Sequence, residues 1–242
     1  MPPRLLALGL LDLVLPPRCP GCGATVAGQG RFCASCWSSL RFLGPPWCAG
    51  CNVPFAFDRG EDALCATCLA DPPAHAGVRA AVGYGDVART VVLRLKYGGR
   101  PFYAATMAAL MLRHLPPEAA RLIPVPLHRR RLWSRGYNQA ALIATALGTR
   151  ANLPVDVHAL QRHRATPPLR DRSARERRAT VAGAFRVTAR GREAVRGASL
   201  VLVDDVYTSG ATAEACVKAL RRAGAASVTI LAWARVLDGA SD

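Results

Sequence analysis

Lysine is almost missing from this chain. Of 242 residues only Lys96 and Lys218 are lysines, so arginine supplies the other 30 of the 32 basic side chains. That scarcity excludes a Walker A phosphate loop, which needs a Gly-Lys step, because neither lysine follows a glycine. Acidic residues are scarce too: there are 16, and the formal charge is +16. Such a field favours polyanionic partners, whether nucleic acid, phosphorylated metabolites or an anionic membrane surface. Long apolar runs are also lacking. Leu5–Leu15 is interrupted by Asp12 and ends at Pro16-Pro17, too short to cross a bilayer. No small-x-small cleavage site follows, and Arg18 before Cys19 does not suit lipoprotein processing. Residues 1–17 are therefore expected to form a short amphipathic helix docked on the body, with no membrane span and a cytoplasmic location. Disorder is excluded by 51% hydrophobic against 20% charged residues.

Cysteine, by contrast, is plentiful and ordered. Eight of the nine fall in four C-x-x-C knuckles: Cys19/Cys22, Cys33/Cys36, Cys48/Cys51 and Cys65/Cys68. Each knuckle puts two thiolates on one side of a tight turn, and tetrahedral zinc needs two knuckles. Ten residues separate the first two pairs and thirteen the last two. Two four-cysteine zinc sites are expected, paired sequentially, although spacing alone also permits a crossed arrangement. Disulfides would require an oxidising compartment. Four thiolates leave no open position on the metal, so such zinc is structural. Trp37, Phe42, Trp47, Phe55 and Phe57 read either as covers for a ribbon with little core or as stacking platforms. Cys216, in "AEACVKAL", reads as a small buried hydrophobe.

After the Pro-rich break "ADPPAHAG" at 70–77 the pattern changes. Strands are predicted over 78–84, 121–126, 155–160, 181–187, 198–203 and 227–234. Helices are predicted over 87–99, 103–115, 137–151 and 212–224, from 3.6-residue apolar periodicity and Gly or Pro stops. Alternation of this kind argues for a parallel α/β sheet flanked by helices. The run "ASLVLV" suits a strand buried on both faces. It leads into "VLVDDVYTSGAT", residues 201–212, read as a strand that ends in two acids and turns into a loop of small residues. Thr208, Ser209, Gly210, Ala211 and Thr212 can converge backbone N–H groups on one anion at a helix N-terminus. Two carboxylates just before such a loop suit the vicinal hydroxyls of a sugar phosphate.

The stretch "VLVDDVYTSGAT" resembles the 5-phosphoribosyl-1-pyrophosphate (PRPP) motif of type I phosphoribosyltransferases. With "LKYGGR" (95–100), "IPVPLHRRRLWSRGYNQA" (123–140), "RHRATPPLRDRSARERRATVAGAF" (162–185) and the four knuckles, the whole chain resembles the ComF family, associated with DNA uptake in bacterial competence. The resemblance covers roughly residues 19 to 235. It departs at two places: no Asn stands near Thr180, and no Gln near Pro168 or Leu169. It implies a double zinc ribbon over 18–70 and a type I phosphoribosyltransferase-like domain over 78–238.

By that resemblance Asp204 and Asp205 hold the ribose 2′- and 3′-hydroxyls. The Thr208–Thr212 backbone cradles the 5′-phosphate, helped by the hydroxyls of Thr208, Ser209 and Thr212, with Mg2+ bridging ribose and pyrophosphate. Weaker candidates for pyrophosphate or DNA contact are Lys96, Arg129, Arg130, Arg131 and Arg135, beside His128 and a basic hood at 162–178. Arg135 to Gln139 reads as a pyrophosphate contact or a helix cap. Two functions from different classes follow. One is a PRPP-dependent transferase with an unknown acceptor. The other is a single-stranded-DNA-binding accessory protein that works with DNA-uptake or helicase proteins.

Overall fold

The computed structural model describes residues 16–166 and 173–237. The expected N-terminal helix, residues 1–17, lies outside that range except for Pro16 and Pro17, and Pro168 and Leu169 lie outside it too. Two short helices, α1 (Ala34–Ser38) and α2 (Ala66–Ala70), begin at the second and fourth cysteine knuckles. The body follows as β1 (Gly77–Gly83), α3 (Asp86–Tyr97), α4 (Tyr103–Met111), β2 (Arg121–Pro124), α5 (Arg129–Arg135) and α6 (Gln139–Ala151). After these come β3 (Leu160–Arg162), α7 (Ala174–Val181), β4 (Phe185–Val187), α8 (Arg192–Val195), β5 (Ser199–Tyr207), α9 (Ala211–Arg222) and β6 (Ser227–Arg235).

The main sheet has four strands in the order β1-β6-β5-β2, all parallel, with β5 and β6 in the middle. The continuous apolar runs are explained by burial on both faces. Leu200 and Leu202 of β5 join Val228 and Ile230 of β6 in one core, covered by α9, β3 and β4. Val201 and Val203 join Leu231 and Trp233 in the other, covered by α3, α4 and α6. The parallel sheet flanked by helices is therefore the class expected.

Some boundaries differ. Val155 makes only an isolated bridge to Leu122, and the strand of that region lies later, at Leu160–Arg162, antiparallel to Phe185–Val187. The expected strand at 181–187 begins instead as the end of α7. A capping box nucleates that helix: Ser173 Oγ accepts from the Glu176 N–H, and Glu176 reaches back to the Ser173 N–H at 2.8 Å. The run at 129–135, outside the predicted strands and helices, is helical. His128 Nδ1 accepts from the Arg130 N–H at 3.3 Å, and Gly136, at φ 81°, stops the helix in the left-handed region. The last difference matters most for function: β5 does not stop at Val203 but carries its pairing through both acids to Tyr207.

The ribbons cover the outer edge of β1, which would otherwise be exposed for pairing. From the first, Leu43 N–H donates to Ala81 O at 3.1 Å, and Gly83 N–H donates to Arg41 O at 2.7 Å. From the second, Gly50 O accepts from Val78 N–H at 2.8 Å and Asn52 Oδ1 from Ala80 N–H at 3.0 Å. Leu40 and Leu43 are buried in the two cores of the sheet.

Candidate functional site: two cysteine centres and a cleft

The eight paired cysteines form two sets, Cys19/Cys22/Cys33/Cys36 and Cys48/Cys51/Cys65/Cys68. The pairing is sequential. Within each set the four Sγ atoms lie within 4.8 Å of one another, and the Cys22–Cys33 and Cys51–Cys65 sulfurs are 3.6 Å apart. Metal–sulfur bonds of about 2.3 Å give a tetrahedron with edges of roughly 3.8 Å, whereas a disulfide holds its sulfurs at about 2.05 Å. All the cysteines are free thiols. These are two four-cysteine zinc-binding sites.

Local geometry favours the thiolate at one cysteine of each set, while burial pushes Cys36, Cys51 and Cys68 up. The Cys33 N–H donates to Cys19 Sγ at 3.3 Å, and the Cys65 N–H donates to Cys48 Sγ at 3.2 Å. Burial works to raise the Cys19 thiol, but backbone N–H groups of Cys33, Cys22 and Gly21 outweigh it and bring it to about 6. Cys48, with donors from Cys51 and Cys65 set against its burial, comes to about 7. Glycine precedes the second cysteine in knuckles one and three for a steric reason. A Cβ on Gly21 would stand 2.6 Å from Cys36 Sγ, and one on Gly50 would stand 3.1 Å from Cys68 Sγ. The ribbon aromatics are engaged within the protein. Trp37 packs on Phe42 at 4.6 Å between ring centroids, and Arg79 lies over Trp47 and Arg59 over Phe55. Cys216 is fully buried in the core, as expected.

The second site is a cleft of about 970 Å³ at the carboxyl end of β5. Its floor is the β5–α9 turn: Thr208, Ser209, Gly210, Ala211 and Thr212 all line it. Gly210, at φ 75°, sits where α9 begins, and a Cβ there would stand 2.4 Å from Tyr207 Oη. No side chain caps α9, so its first N–H groups remain open to the cleft. An uncapped helix start is an anion site by its dipole and its free donors.

The two acids part company because β5 continues through them. Side chains alternate across a strand, so Asp204 falls on the α9 side and Asp205 on the side of α3 and α6. Asp204 lines the cleft. Asp205 lies beneath it, 4% exposed, ion-paired to Lys96 Nζ and accepting from Gln139 Nε2 at 3.3 Å. Gln139 Oε1 in turn accepts from Arg135 at 2.6 Å, and Arg135 stands 5.2 Å above the Tyr97 ring. Burial would raise the Asp205 carboxyl, but Lys96 outweighs it and holds the pKa low. Burial likewise opposes the Lys96 ammonium, and Asp205 outweighs it in the other direction. Asp204 makes no ion pair among the described residues; its Oδ1 accepts from the Asp205 N–H at 2.8 Å, which keeps the two acids in contact. Burial, then the Asp205 charge, pushes the Asp204 pKa well above the usual carboxylate range.

The cationic candidates divide as well. On α5, Arg131 and Arg135 line the cleft together with Ser134, while Arg129 and Arg130 lie on the same helix outside the lining. Asn138, not Gln139, is the cap of α6. Its Oδ1 accepts from the Ala140 N–H at 3.0 Å, and its Nδ2 donates to Val125 O at 3.0 Å, tying the helix start to the end of β2. Arg177 was not distinguished in the sequence from its neighbours in the 162–178 segment, yet it reaches the cleft from α7 with a buried Nε that has no partner. The Ser173-x-x-Glu176 capping box was the signal that could have placed it on a helix. Tyr97 and Tyr137 also line the cleft, and Tyr137 Oη donates to Leu95 O, next to Lys96.

Comparison with known proteins gives three kinds of likeness. A family model described as a double zinc ribbon domain matches residues 10–71. The DNA utilization protein YhgH of Escherichia coli O157:H7 is 30% identical over 234 residues, covering 93% of this chain and 100% of that protein. Competence protein F of Haemophilus influenzae is 27% identical, covering 90% and 96%. Competence protein ComFC of Bacillus subtilis is 25% identical, covering 82% of each. Among solved structures, a glutamine phosphoribosylpyrophosphate amidotransferase from B. subtilis, complexed with ADP and GMP, is similar over 57% of this chain and 30% of its own. The TM-score is 0.40 and the identity 21%.

Proposed function

The chain belongs to the ComF family of competence and DNA-utilization proteins, and on that premise we propose that it binds PRPP, or a related ribose phosphate, with Mg2+ in the β5–α9 cleft, in the service of DNA uptake and use. One observation carries the reading: the uncapped start of α9, held open by Gly210, lies beside Asp204, a carboxyl that makes no ion pair among the described residues. A phosphate and a pair of hydroxyls satisfy those two needs together.

The Thr208–Thr212 N–H groups would take the 5′-phosphate, with the hydroxyls of Thr208, Ser209 and Thr212 adding donors. Asp204 would accept from the ribose hydroxyls. Arg131, Arg135 and Arg177 line the cleft as anion contacts for the pyrophosphate. Mg2+ would supply charge neutralisation at that end. Asp205 has a different part from its neighbour: it sets Lys96 and Gln139 in place. An incoming pyrophosphate competes with Asp205 for Lys96, and Asp205 can turn to the ligand once Lys96 is drawn away. Should transfer to an acceptor occur, these same cations would stabilise the departing pyrophosphate.

The second reading, a non-catalytic single-stranded-DNA accessory protein, is favoured by a distinct observation. Among the described residues, ion pairs join only Lys96 to Asp205 and Arg178 to Asp71 and Glu214, so most arginines have no carboxylate partner. The two readings are compatible.

Calorimetry and thermal melting with PRPP, with and without Mg2+, test the first. Binding should raise the melting temperature, by about 2.7 kcal/mol of stabilisation at a hundredfold excess over Kd. Gly210→Val, checked for retained zinc and a cooperative melt, should lose the effect. No heat and no shift with millimolar PRPP and Mg2+ would reject PRPP binding.

A further inference from the structure

The structure holds a second concave surface that neither the cleft nor the ribbons use. Two grooves continue from the cleft along α9. The first, about 650 Å³, shares Ala211 with the cleft and is lined by Arg178, Lys218, Arg221 and Arg222. The next, about 830 Å³, shares Gly183 and Arg222 with the first and is lined by Arg186, Arg192 and Arg196. Together they make one trough from the β5–α9 turn to the far end of α9 and across to α8 and β4. Ala211, Ala215, Ala219 and Ala223 face it at four-residue intervals, so its floor is smooth.

Its charge is lopsided. Seven basic side chains line the two grooves against two acidic ones, Glu214 and Glu193. Glu214 is taken by Arg178 at 3.4 Å. Among the described residues no carboxylate lies within ion-pair distance of Arg186, Arg192, Arg196, Arg221 or Arg222. Three of these are instead oriented by neutral acceptors. Arg186 donates to Gln161 Oε1 at 3.3 Å, Arg221 to Ala225 O at 2.7 Å and Arg222 to Lys218 O at 3.0 Å. Such contacts fix the guanidinium groups and leave their charge uncompensated.

We propose that this trough is the bed of a single nucleic-acid strand, held by its phosphates and led along α9 to the mouth of the cleft. The α9 helix has 12 residues and is about 18 Å long, enough for several consecutive phosphates. A flexible strand can follow a concave groove of this kind. The one aromatic in the lining, Phe185, is buried, so the bed offers no stacking platform and selects for charge rather than sequence. The inference rests on the DNA-handling half of the reading above and not on PRPP binding.

The test is fluorescence anisotropy of labelled oligothymidylate with the full zinc-loaded protein over a range of salt. With ~4 phosphates engaged, the slope of log K against log[salt] should be about −3. Arg192→Ala with Arg196→Ala and Arg222→Ala removes three exposed groove cations. It should weaken binding by about tenfold or more at moderate salt and flatten the slope by about 2. A control with the same charge loss elsewhere, Arg31→Ala with Arg89→Ala and Arg150→Ala, should change the slope far less. The groove variant should keep the wild-type melting temperature and the wild-type PRPP response. Equal losses in the two variants would reduce the effect to net charge and overturn the assignment, while the DNA reading survives. Equal affinity for a duplex of the same length would overturn the single-strand bed. No binding by wild type at low salt would remove both the bed and the DNA half of the proposed function.

Discussion

The cysteine centres and the β5–α9 cleft treat charge in opposite ways. In each ribbon, four sulfurs converge within 4.8 Å and backbone N–H groups aim at them, a set that one metal ion would complete inside the protein. In the cleft, a helix start is uncapped, Arg177 Nε has no partner, and Asp204 makes no ion pair among the described residues. A closed site spends its polar groups on one another and so adds to stability. An open site leaves them unmet, which costs stability until a ligand arrives. The contrast assigns the ribbons to structure and the cleft to binding, and each prediction below strains one side of it.

The largest effect is expected at the second ribbon. A structural zinc of this kind binds with on the order of 10 kcal/mol, and replacing Cys48 and Cys51 with serine removes two of its four ligands. Metal analysis should fall from about two zinc atoms per chain to about one. The sequence alone suggests that residues 78–242 would stay folded without that module, but the hydrogen bonds make the damage spread. Gly50 and Asn52 accept from β1, and Arg235 at the end of β6 donates to Cys51 O. Hydrogen exchange should therefore rise at Val78 and Ala80 before it rises in β5. Zinc content unchanged at two, or disulfides found by mass spectrometry, would undo the closed-site description.

Next in size is Asp205→Asn. It leaves Lys96 in place with its ammonium largely buried and its partner neutralised, and breaking a buried pair from one side costs about 3 kcal/mol. In the wild type the Asp205 pKa is depressed. Its contribution is therefore present above the ordinary carboxylate range and is lost as pH falls through the lowered value. The variant should melt lower at neutral pH, and the difference should shrink in acid. A variant as stable as wild type at pH 7 would mean that the Lys96 pair adds nothing to the fold.

How much of this was legible in the sequence follows the same division. Cysteine spacing announced both metal centres, because a C-x-x-C knuckle is a local device. The pairing of knuckles needed the fold, since spacing permits two arrangements. The apolar runs of β5 and β6 marked buried strands, and "TSGAT" marked the turn. The different duties of Asp204 and Asp205 were not legible. Both were read as the strand's last residues, and only its continuation to Tyr207 fixes which face each one takes. Nor was α5: seven residues rich in arginine show no apolar period, and the helix is evident only once His128 and Gly136 are seen to bound them. Arg177 was hidden among neighbours of the same type, and the trough along α9 is assembled mainly from two separate stretches, 178–196 and 211–223.

Asp204→Asn carries the smallest effect and the sharpest sign. The folded Asp204 pKa stands above the unfolded value because of burial and the neighbouring Asp205 charge. Between those two values the native state binds more protons than the unfolded state. Wild-type stability must then fall as pH rises through that window, and above it the penalty is constant. Asparagine is nearly isosteric and carries no charge, so the variant should escape the penalty. In the absence of ligand it should melt above wild type at neutral pH. The gap should close as pH falls into the ordinary carboxylate range. With PRPP and Mg2+ the order should reverse, because the variant has lost its acceptor for the ribose hydroxyls and most of the ligand-induced shift with it. Neighbouring acids would thus give opposite signs, Asp205→Asn lowering stability and Asp204→Asn raising it. If Asp204→Asn instead destabilises the free protein at neutral pH and responds fully to PRPP, Asp204 belongs with the structural groups of the ribbons and not with an open site.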